Sequence, residues 1–126
     1  MKLSIIIPVY NEAKTIKELL RRIEKIELGK VEKEIIIVDD ASSDGSREII
    51  KGLGNRYLKI FQEKNKGKGA ALKAGINAAT GNFIIFQDAD LEYNPNDYKK
   101  LLKPILDRKT DITFGSRFVD QKFVLF

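Results

Sequence analysis

Asp88 and Asp90 form an acidic pair that directly follows the apolar run from Phe83 to Phe86. In an extended turn, such a pair could bracket a metal ion and the ribose of a nucleotide. Hard carboxylate oxygens favour Mg²⁺ or Mn²⁺, ions that keep several waters and accept substrate phosphates as further ligands. Taken alone, an Asp-x-Asp pattern is also typical of a polar strand exit that leads into a turn.

The chain contains no cysteine and no histidine. Disulfides, thiolate nucleophiles, zinc fingers, Ser-His-Asp triads and imidazole general bases are therefore excluded. Any catalysis has to use carboxylates, lysine, arginine or a hard metal ion.

A second acidic segment, DDASSDG, occupies residues 39–45. It reads as a strand end, a turn and a helix start, with Ser43 or Asp44 placed to cap the helix. A response-regulator receiver is an alternative class with an early acidic pair. Its phosphoacceptor aspartate would stand at the end of the third strand, and residues 59–63 contain no aspartate.

The segment NKGKG at residues 65–69 opens a predicted helix, and helix N-termini favour anions. It is not a P-loop, because Gln62 stands where that motif requires its first glycine. Phosphate contact and a solvated loop are both left open by the residues alone. Four lysines lie between Lys64 and Lys73, but no aromatic residue is interleaved with them. We therefore expect no nucleic-acid partner.

The scaffold must be a single compact domain, given 126 residues and the absence of a linker or repeat. Short β-branched runs alternate with helical periodicity, which predicts an α/β fold with a mostly parallel sheet flanked by helices. The predicted strands are 3–9, 34–38, 57–62, 82–87 and 111–114. The predicted helices are 12–27, 44–53, 69–79 and 96–106.

Ligands of such sheets bind outside the carboxyl ends of the strands. The loops at that edge are 8–12, 39–44, 88–90 and 115–117; the first three contain acids and the last contains Arg117. Carboxylates crowded at one edge repel each other, so we expect the ligand to be a divalent metal ion or a base that carries an amino group.

The motifs together resemble those of family 2 glycosyltransferases with the GT-A fold, a Rossmann-like architecture. In chain order they are SIIIPVYNE at 4–12, IVDDASSDGS at 37–46, NKGKGAA at 65–71, DADL at 88–91 and GSRF at 115–118. The last three are most similar to polyprenol-phosphate glycosyltransferases, especially dolichol-phosphate mannose synthases. The resemblance spans residues 4–118.

The resemblance implies roles for individual residues. Asp40 would accept a hydrogen bond from a base N–H, and Asp88 and Asp90 would hold the nucleotide and a Mg²⁺ or Mn²⁺ ion. Asp88, Asp90 and Arg117 are the implied catalytic residues. Arg117 would face a phosphate, although a surface ion pair is the alternative interpretation. The other implied nucleotide contacts are Pro8, Val9, Tyr10, Glu12, Val38, Lys68 and Ala89.

The implied reaction transfers a sugar from GDP-mannose or a UDP-sugar to a polyprenyl (dolichyl) phosphate, with inversion. The metal would stabilise the charge of the leaving diphosphate. An acceptor phosphate is already ionised at neutral pH. No strong general base is then needed, which suits a chain without histidine.

The chain ends earlier than the family's domains, in the apolar segment FVLF at residues 123–126. We expect residues 1–126 to be the nucleotide-sugar-binding part of the domain, with the acceptor-side segment missing. A nucleotide-sugar binding module without turnover is the alternative function. Little chain is left to cover the tail, so it either packs in a homodimer or marks where a longer protein continues.

Membrane association is expected to be peripheral. Residues 1–63 carry 12 basic and 11 acidic side chains, whereas residues 64–126 carry 11 and 7. The excess in the second half favours an anionic membrane surface, where a polyprenyl phosphate resides. No apolar run approaches the roughly 20 residues of a membrane span, and no signal peptide is recognisable. The expected location is the cytoplasm, with a peripheral position at the cytoplasmic face of a membrane as the alternative.

Overall fold

A computed structural model of the chain describes residues 1–91, 95, 98–100, 102, 117–119 and 122–125. Residues 98–100 and 102 are helical, inside the predicted helix 96–106, most of which lies outside the described residues. The predicted strand 111–114 lies wholly outside them, as do Gly115 and Ser116 of the GSRF motif. Within the described residues, no helix combines the length and the apolar character needed to cross a membrane.

The described elements alternate between strand and helix up to the fourth strand, as predicted. In chain order they are β1 (Lys2–Val9), α1 (Ile16–Lys25), β2 (Glu32–Asp39), α2 (Ser46–Lys51), β3 (Tyr57–Phe61), α3 (Lys68–Ala78), β4 (Phe83–Phe86), β5 (Arg117–Val119) and β6 (Lys122–Leu125).

The strands form one sheet in the order β3-β2-β1-β4-β6-β5. All neighbouring pairs are parallel except β5 with β6. This arrangement confirms the predicted α/β fold with a mostly parallel sheet. In the central register, Ile5 of β1 lies between Ile35 of β2 and Ile85 of β4. Each central strand contains a continuous apolar run, at Ile5–Ile7, Ile35–Val38 and Phe83–Phe86, as expected for strands with both faces covered.

The two faces of the sheet carry separate apolar clusters. Leu3, Ile5 and Ile7 point toward the face that also buries Leu19 and Ile23 of α1. The opposite cluster contains Ile6, Ile36, Val38, Ile84, Ala71 and Ala79. Helix α3 contains Ala71 and ends next to Ala79, its C-cap, and it lies very close to the sheet. A Cβ added at Gly75 would stand only 2.4 Å from Ile6 Cγ2.

The segment that follows residue 116 extends the sheet. Strand β6 pairs in parallel with β4, placing Phe123 opposite Phe83 and Leu125 opposite Ile85. No strand was predicted for this segment, which was expected to be an apolar tail with little chain left to cover it. Its pairing is with a strand about 40 residues away in the chain, which no local periodicity can reveal.

Candidate functional site

The loops that follow β1 and β2 are joined at the carboxyl edge of the sheet by side-chain to backbone hydrogen bonds. Asn11 N donates to Ser42 Oγ at 2.9 Å, and Ser43 N donates to Asn11 Oδ1 at 2.8 Å. Glu12 N donates to Ser46 Oγ at 2.9 Å. Asn11 adopts a φ of 55°, a left-handed conformation that asparagine tolerates better than most residues. The two loops therefore form one polar platform.

The start of helix α2 differs from the prediction. Its N-cap is Gly45, with a φ of 100°, rather than Ser43 or Asp44. Asp44 instead accepts hydrogen bonds from Ser46 N at 3.0 Å and from Ser46 Oγ at 2.6 Å. Its other oxygen accepts one from Ala13 N at 3.1 Å. Hydrogen bonding, led by the Ser46 hydroxyl, lowers the pKa of Asp44 below its ordinary value.

Asp40 directly follows β2 and has 3% of its surface exposed. Its Oδ1 accepts a hydrogen bond from Lys66 N at 2.8 Å, and its Oδ2 accepts one from Gly67 N at 2.9 Å. Gly67 has a φ of 94°, which few residues other than glycine adopt. Asp40 thus fixes the lysine-rich loop over the sheet edge at the start of α3.

Lys68, the first residue of α3, points from that loop toward the exit of β4. Its Nζ lies 2.5 Å from Asp88 Oδ1. The Lys68 side chain is 58% exposed and that of Asp88 is 28% exposed. The ion pair therefore stands at the surface of the sheet edge, where water and solutes can reach both charges.

Buried hydrogen bonds hold the loop that follows β4. Gln87 accepts a 2.7 Å hydrogen bond from Tyr98 Oη through its Oε1 and donates to Asp88 O at 3.1 Å. Burial raises the pKa of the Tyr98 hydroxyl far above its ordinary range, so this group stays a donor. On the other side, the Thr15 hydroxyl donates to Ala89 O. Asp88 is therefore set on a backbone anchored from two directions.

A cleft of about 420 Å³ opens between these loops. Its walls come from the ends of β1 and β2, from the lysine-rich loop with the start of α3, and from the residues after β4. The lining residues are Pro8, Val9, Tyr10, Glu12, Asp40, Asn65, Gly67, Lys68, Ala71, Asp88, Ala89 and Asp90.

Residues 4–125 match the sequence profile of glycosyl transferase family 2. The chain belongs to glycosyltransferase family 2. It is 38% identical over 121 residues to a dolichol-phosphate mannosyltransferase of Pyrococcus furiosus, which covers 94% of this chain and 34% of the relative.

Solved structures of similar proteins have the same fold. TarS of S. aureus in complex with UDP superposes with a TM-score of 0.74 at 33% identity, covering 88% of this chain and 34% of that chain. A mannosyltransferase of Pyrobaculum calidifontis, in complex with GDP-Man and Mn²⁺, gives a TM-score of 0.64 at 30% identity, covering 75% and 29%. This chain thus spans about a third of the length of each relative.

The family 2 cleft brings together most residues that the sequence predicted for nucleotide and metal. Of those residues, Val38 is not part of the lining. Its side chain is fully buried in the cluster beneath α3. Arg117 falls in β5, and its side chain lies outside the described part of the chain. Asn65, Gly67 and Ala71 line the cleft without having been singled out, although the NKGKGAA motif contains all three.

Asp39 was given no role of its own in the sequence analysis, unlike the adjacent Asp40. It is fully buried, and its Oδ2 accepts hydrogen bonds from Ser42 N at 3.1 Å and Arg47 Nη1 at 3.4 Å. Its Oδ1 has no hydrogen-bond partner among the described residues. Buried carboxylate oxygens are rarely left without a hydrogen bond, so this oxygen is an unusual feature of the carboxyl end of β2.

Asp88 and Asp90 suit a hard divalent cation when a diphosphate is also present. No group of three or more acidic residues capable of holding a metal occurs in the described ranges. Both aspartates, however, line the same cleft as Lys68. Mg²⁺ and Mn²⁺ sites in nucleotide enzymes commonly use one or two carboxylates and complete their ligand sets with phosphate oxygens and water. The residues present fit that arrangement.

Proposed function

We propose that this chain binds a nucleotide diphospho-sugar in the cleft and forms the donor-binding part of a glycosyltransferase. The observation that carries the proposal is the convergence of Tyr10, Asp40, Lys68, Asp88 and Asp90 on one cleft. Similar proteins add support, since their solved structures include complexes with UDP and with GDP-Man and Mn²⁺.

The lining divides into a half suited to the nucleoside and a half suited to the diphosphate. Tyr10 is 50% exposed and presents an aromatic ring next to Pro8 and Val9, a surface on which a base or ribose can pack. Lys68 stands at the first position of α3, where its charge and the helix N-terminus both favour an anion. We assign the base and ribose to the first group and the diphosphate to the second.

Asp88 and Asp90 would hold Mg²⁺ or Mn²⁺, which supplies Lewis-acid stabilisation of the departing diphosphate. The protein's own contribution is positional. Tyr98 and Gln87 hold the backbone of Asp88, while Asp40 holds the loop that carries Lys68. A preorganised set of charges around a diphosphate lowers the cost of separating it from the sugar.

We further propose a polyprenyl phosphate as acceptor and inversion at the sugar. This assignment is supported by the similarity to a dolichol-phosphate mannosyltransferase. An ionised phosphate oxygen attacks the anomeric carbon directly, so no residue has to remove a proton. Arg117 is the candidate for pairing with a phosphate. Such an acceptor would place the protein peripherally at the cytoplasmic face of a membrane.

Isothermal calorimetry tests the donor assignment. The chain is titrated with GDP-mannose, GDP, UDP-glucose and UDP, each with Mn²⁺ and each with excess EDTA. We expect one base to bind clearly and Asp90→Asn to bind at least tenfold more weakly with Mn²⁺, because a direct metal ligand is lost. Equal affinity with and without EDTA, or an unaffected Asp90→Asn variant, would contradict the metal-linked cleft.

A transfer assay then separates turnover from binding alone. Labelled sugar from the donor that binds is offered to a polyprenyl phosphate in detergent, and the product's anomeric configuration is read by NMR. Transfer with inversion supports the full proposal. Tight donor binding without transfer would identify this chain as a nucleotide-sugar binding module.

A further inference from the structure

The ammonium group of Lys68 already pairs with Asp88, one of the two predicted metal ligands. Lys68 Nζ lies 2.5 Å from Asp88 Oδ1. A divalent ion bound to that oxygen at about 2.1 Å would stand within about 5 Å of the ammonium group, where the like charges repel each other. Lys68 and a metal ion therefore compete for Asp88.

The backbone of the loop before Lys68 is fixed, so Lys68 stays within reach of Asp88. Asp40 accepts hydrogen bonds from Lys66 N and Gly67 N, which fix the backbone immediately before Lys68. The Lys68 side chain itself is 58% exposed, so it has room to swing while its backbone stays in place. The ammonium group can leave Asp88 without any change in the fold.

We propose that Lys68 is an exchangeable counter-ion: it neutralises Asp88 and moves to a donor phosphate when a divalent cation binds Asp88. This inference rests on the proposed function and deepens it. When the metal binds alone, Lys68 loses Asp88 as its partner and is left close to a divalent cation. A diphosphate gives Lys68 a new anionic partner. Metal and diphosphate therefore bind cooperatively, and the coupling is the same in either order of binding.

Lys68→Met tests the proposal, with Lys66→Met as its matched control. Lys66 is an exposed lysine on the same loop, so both variants lose one positive charge. Mn²⁺ binding to the chain alone is measured by electron paramagnetic resonance of free Mn²⁺. Calorimetry then measures GDP and UDP binding at saturating Mn²⁺.

We expect Lys68→Met to tighten Mn²⁺ binding two- to fivefold, the range expected when an exposed ion partner is removed. The same variant should bind the preferred nucleoside diphosphate at least tenfold more weakly, because a charge-assisted contact is lost. Lys66→Met should change neither value by more than about twofold. In an Asp88→Asn background, Lys68→Met should no longer tighten Mn²⁺ binding.

Several results would overturn the proposal. Mn²⁺ affinity that is unchanged or weaker in Lys68→Met would show that Lys68 does not compete for Asp88. Equal tightening in Lys66→Met would assign the effect to net charge alone. A wild-type chain that binds neither GDP nor UDP with Mn²⁺ would instead refute the proposed function, while the Mn²⁺ comparison would still decide whether Lys68 competes for Asp88.

Discussion

The two ends of the central sheet both contain partly or fully buried carboxylates, but they use them differently. At the amino end, Glu34 accepts hydrogen bonds from Ser4 Oγ at 2.7 Å, Thr80 N at 2.9 Å and Thr80 Oγ1 at 2.5 Å. Lys2 Nζ completes the cluster at 4.0 Å. At the carboxyl end, one oxygen of Asp39 has no partner among the described residues, and Asp88 pairs with a half-exposed lysine.

Backbone strain divides the two ends in the same way. In the described part of the chain, Asn11, Ala41 and Leu91 are the residues other than glycine with positive φ. They follow β1, β2 and β4 respectively, so all three lie at the carboxyl edge. Strained backbone and unsatisfied polar groups persist where surrounding structure enforces them, and they concentrate at functional sites. At the amino end both oxygens of Glu34 are hydrogen-bonded within the fold, whereas the carboxyl end combines positive-φ residues with a buried carboxylate oxygen that has no partner among the described residues.

Gly81→Ala is expected to have the largest effect, and only on stability. A Cβ at Gly81 would stand 2.6 Å from Ser4 Oγ and 2.8 Å from Lys2 O, so backbone has to shift at the amino end. We expect the free energy of unfolding to fall by about 3 kcal/mol in urea denaturation. Gly69→Ala is the control at the other end, because nothing lies within 4 Å of its added Cβ.

Gly69→Ala should leave stability unchanged or raise it by up to about 1 kcal/mol, since alanine favours a helix more than glycine does. The folded fraction of Gly81→Ala should bind nucleotide as the wild type does. A loss of nucleotide affinity in Gly81→Ala, with stability intact, would contradict the division between the two ends.

Asp40→Asn is expected to weaken ligand binding by about 2 kcal/mol, roughly 30-fold. The family resemblance implies that Asp40 recognises only the base edge. Its hydrogen bonds to Lys66 N and Gly67 N give it a second role, because they position the loop that carries Lys68. We therefore expect affinity for both GDP and pyrophosphate to fall in calorimetry with Mn²⁺. If only the affinity for GDP fell and that for pyrophosphate did not, Asp40 would act in base recognition alone.

The sequence predicted the parallel core well because its strands are short apolar runs buried on both faces. It misplaced the start of α1, expected from residue 12 but observed at Ile16. The backbone N–H groups of Glu12 and Ala13 are instead taken by Ser46 and Asp44, a tertiary contact that helical periodicity does not encode. Strands β5 and β6 were missed for a similar reason, since their pairing is long-range.

The candidate site was predicted to the level of its loops but not of its hydrogen bonds. The rule that ligands bind at carboxyl ends of parallel strands, together with the family motifs, selected Asp40, Lys68 and Asp88. The direction of each side chain depends on contacts between distant segments. Neither the pairing of Lys68 with Asp88 nor the Asp39 oxygen that lacks a partner in the described part of the chain could therefore be read from spacing.

A pair of charge-removing substitutions compares the ends directly. Glu34→Gln should lower the free energy of unfolding by about 1 to 2 kcal/mol at pH 7, because hydrogen bonds to a charged acceptor are weakened. Asp39→Asn should cost less than Glu34→Gln, because the loss of the charged acceptor for Ser42 N and Arg47 Nη1 is offset by removal of a buried charge whose Oδ1 has no partner among the described residues. Urea denaturation measures both. A larger loss for Asp39→Asn would show that the carboxyl end is as closed as the amino end.

The smallest expected effect is the pH dependence that Glu34 contributes. Burial raises the pKa of Glu34, but hydrogen bonds from the Thr80 N–H, the Thr80 hydroxyl and the Ser4 hydroxyl, together with the charge of Lys2, lower it below its ordinary value of 4.5. A depressed folded-state pKa stabilises the fold fully above the unfolded-state value, and this contribution is lost as the pH falls through the folded-state value.

The difference in free energy of unfolding between wild type and Glu34→Gln should therefore be constant from about pH 6 to 8 and shrink below about pH 4.5. Arg21 and Arg22 lower the pKa of Glu18 to about 2 by hydrogen bonding, so Glu18 also titrates in acid. Because Glu18 is present in both proteins, its contribution cancels in the difference. Urea denaturation series at matched ionic strength would measure this difference. A difference that stays constant down to pH 3 would mean that the Glu34 cluster stabilises the amino end by packing rather than by charge.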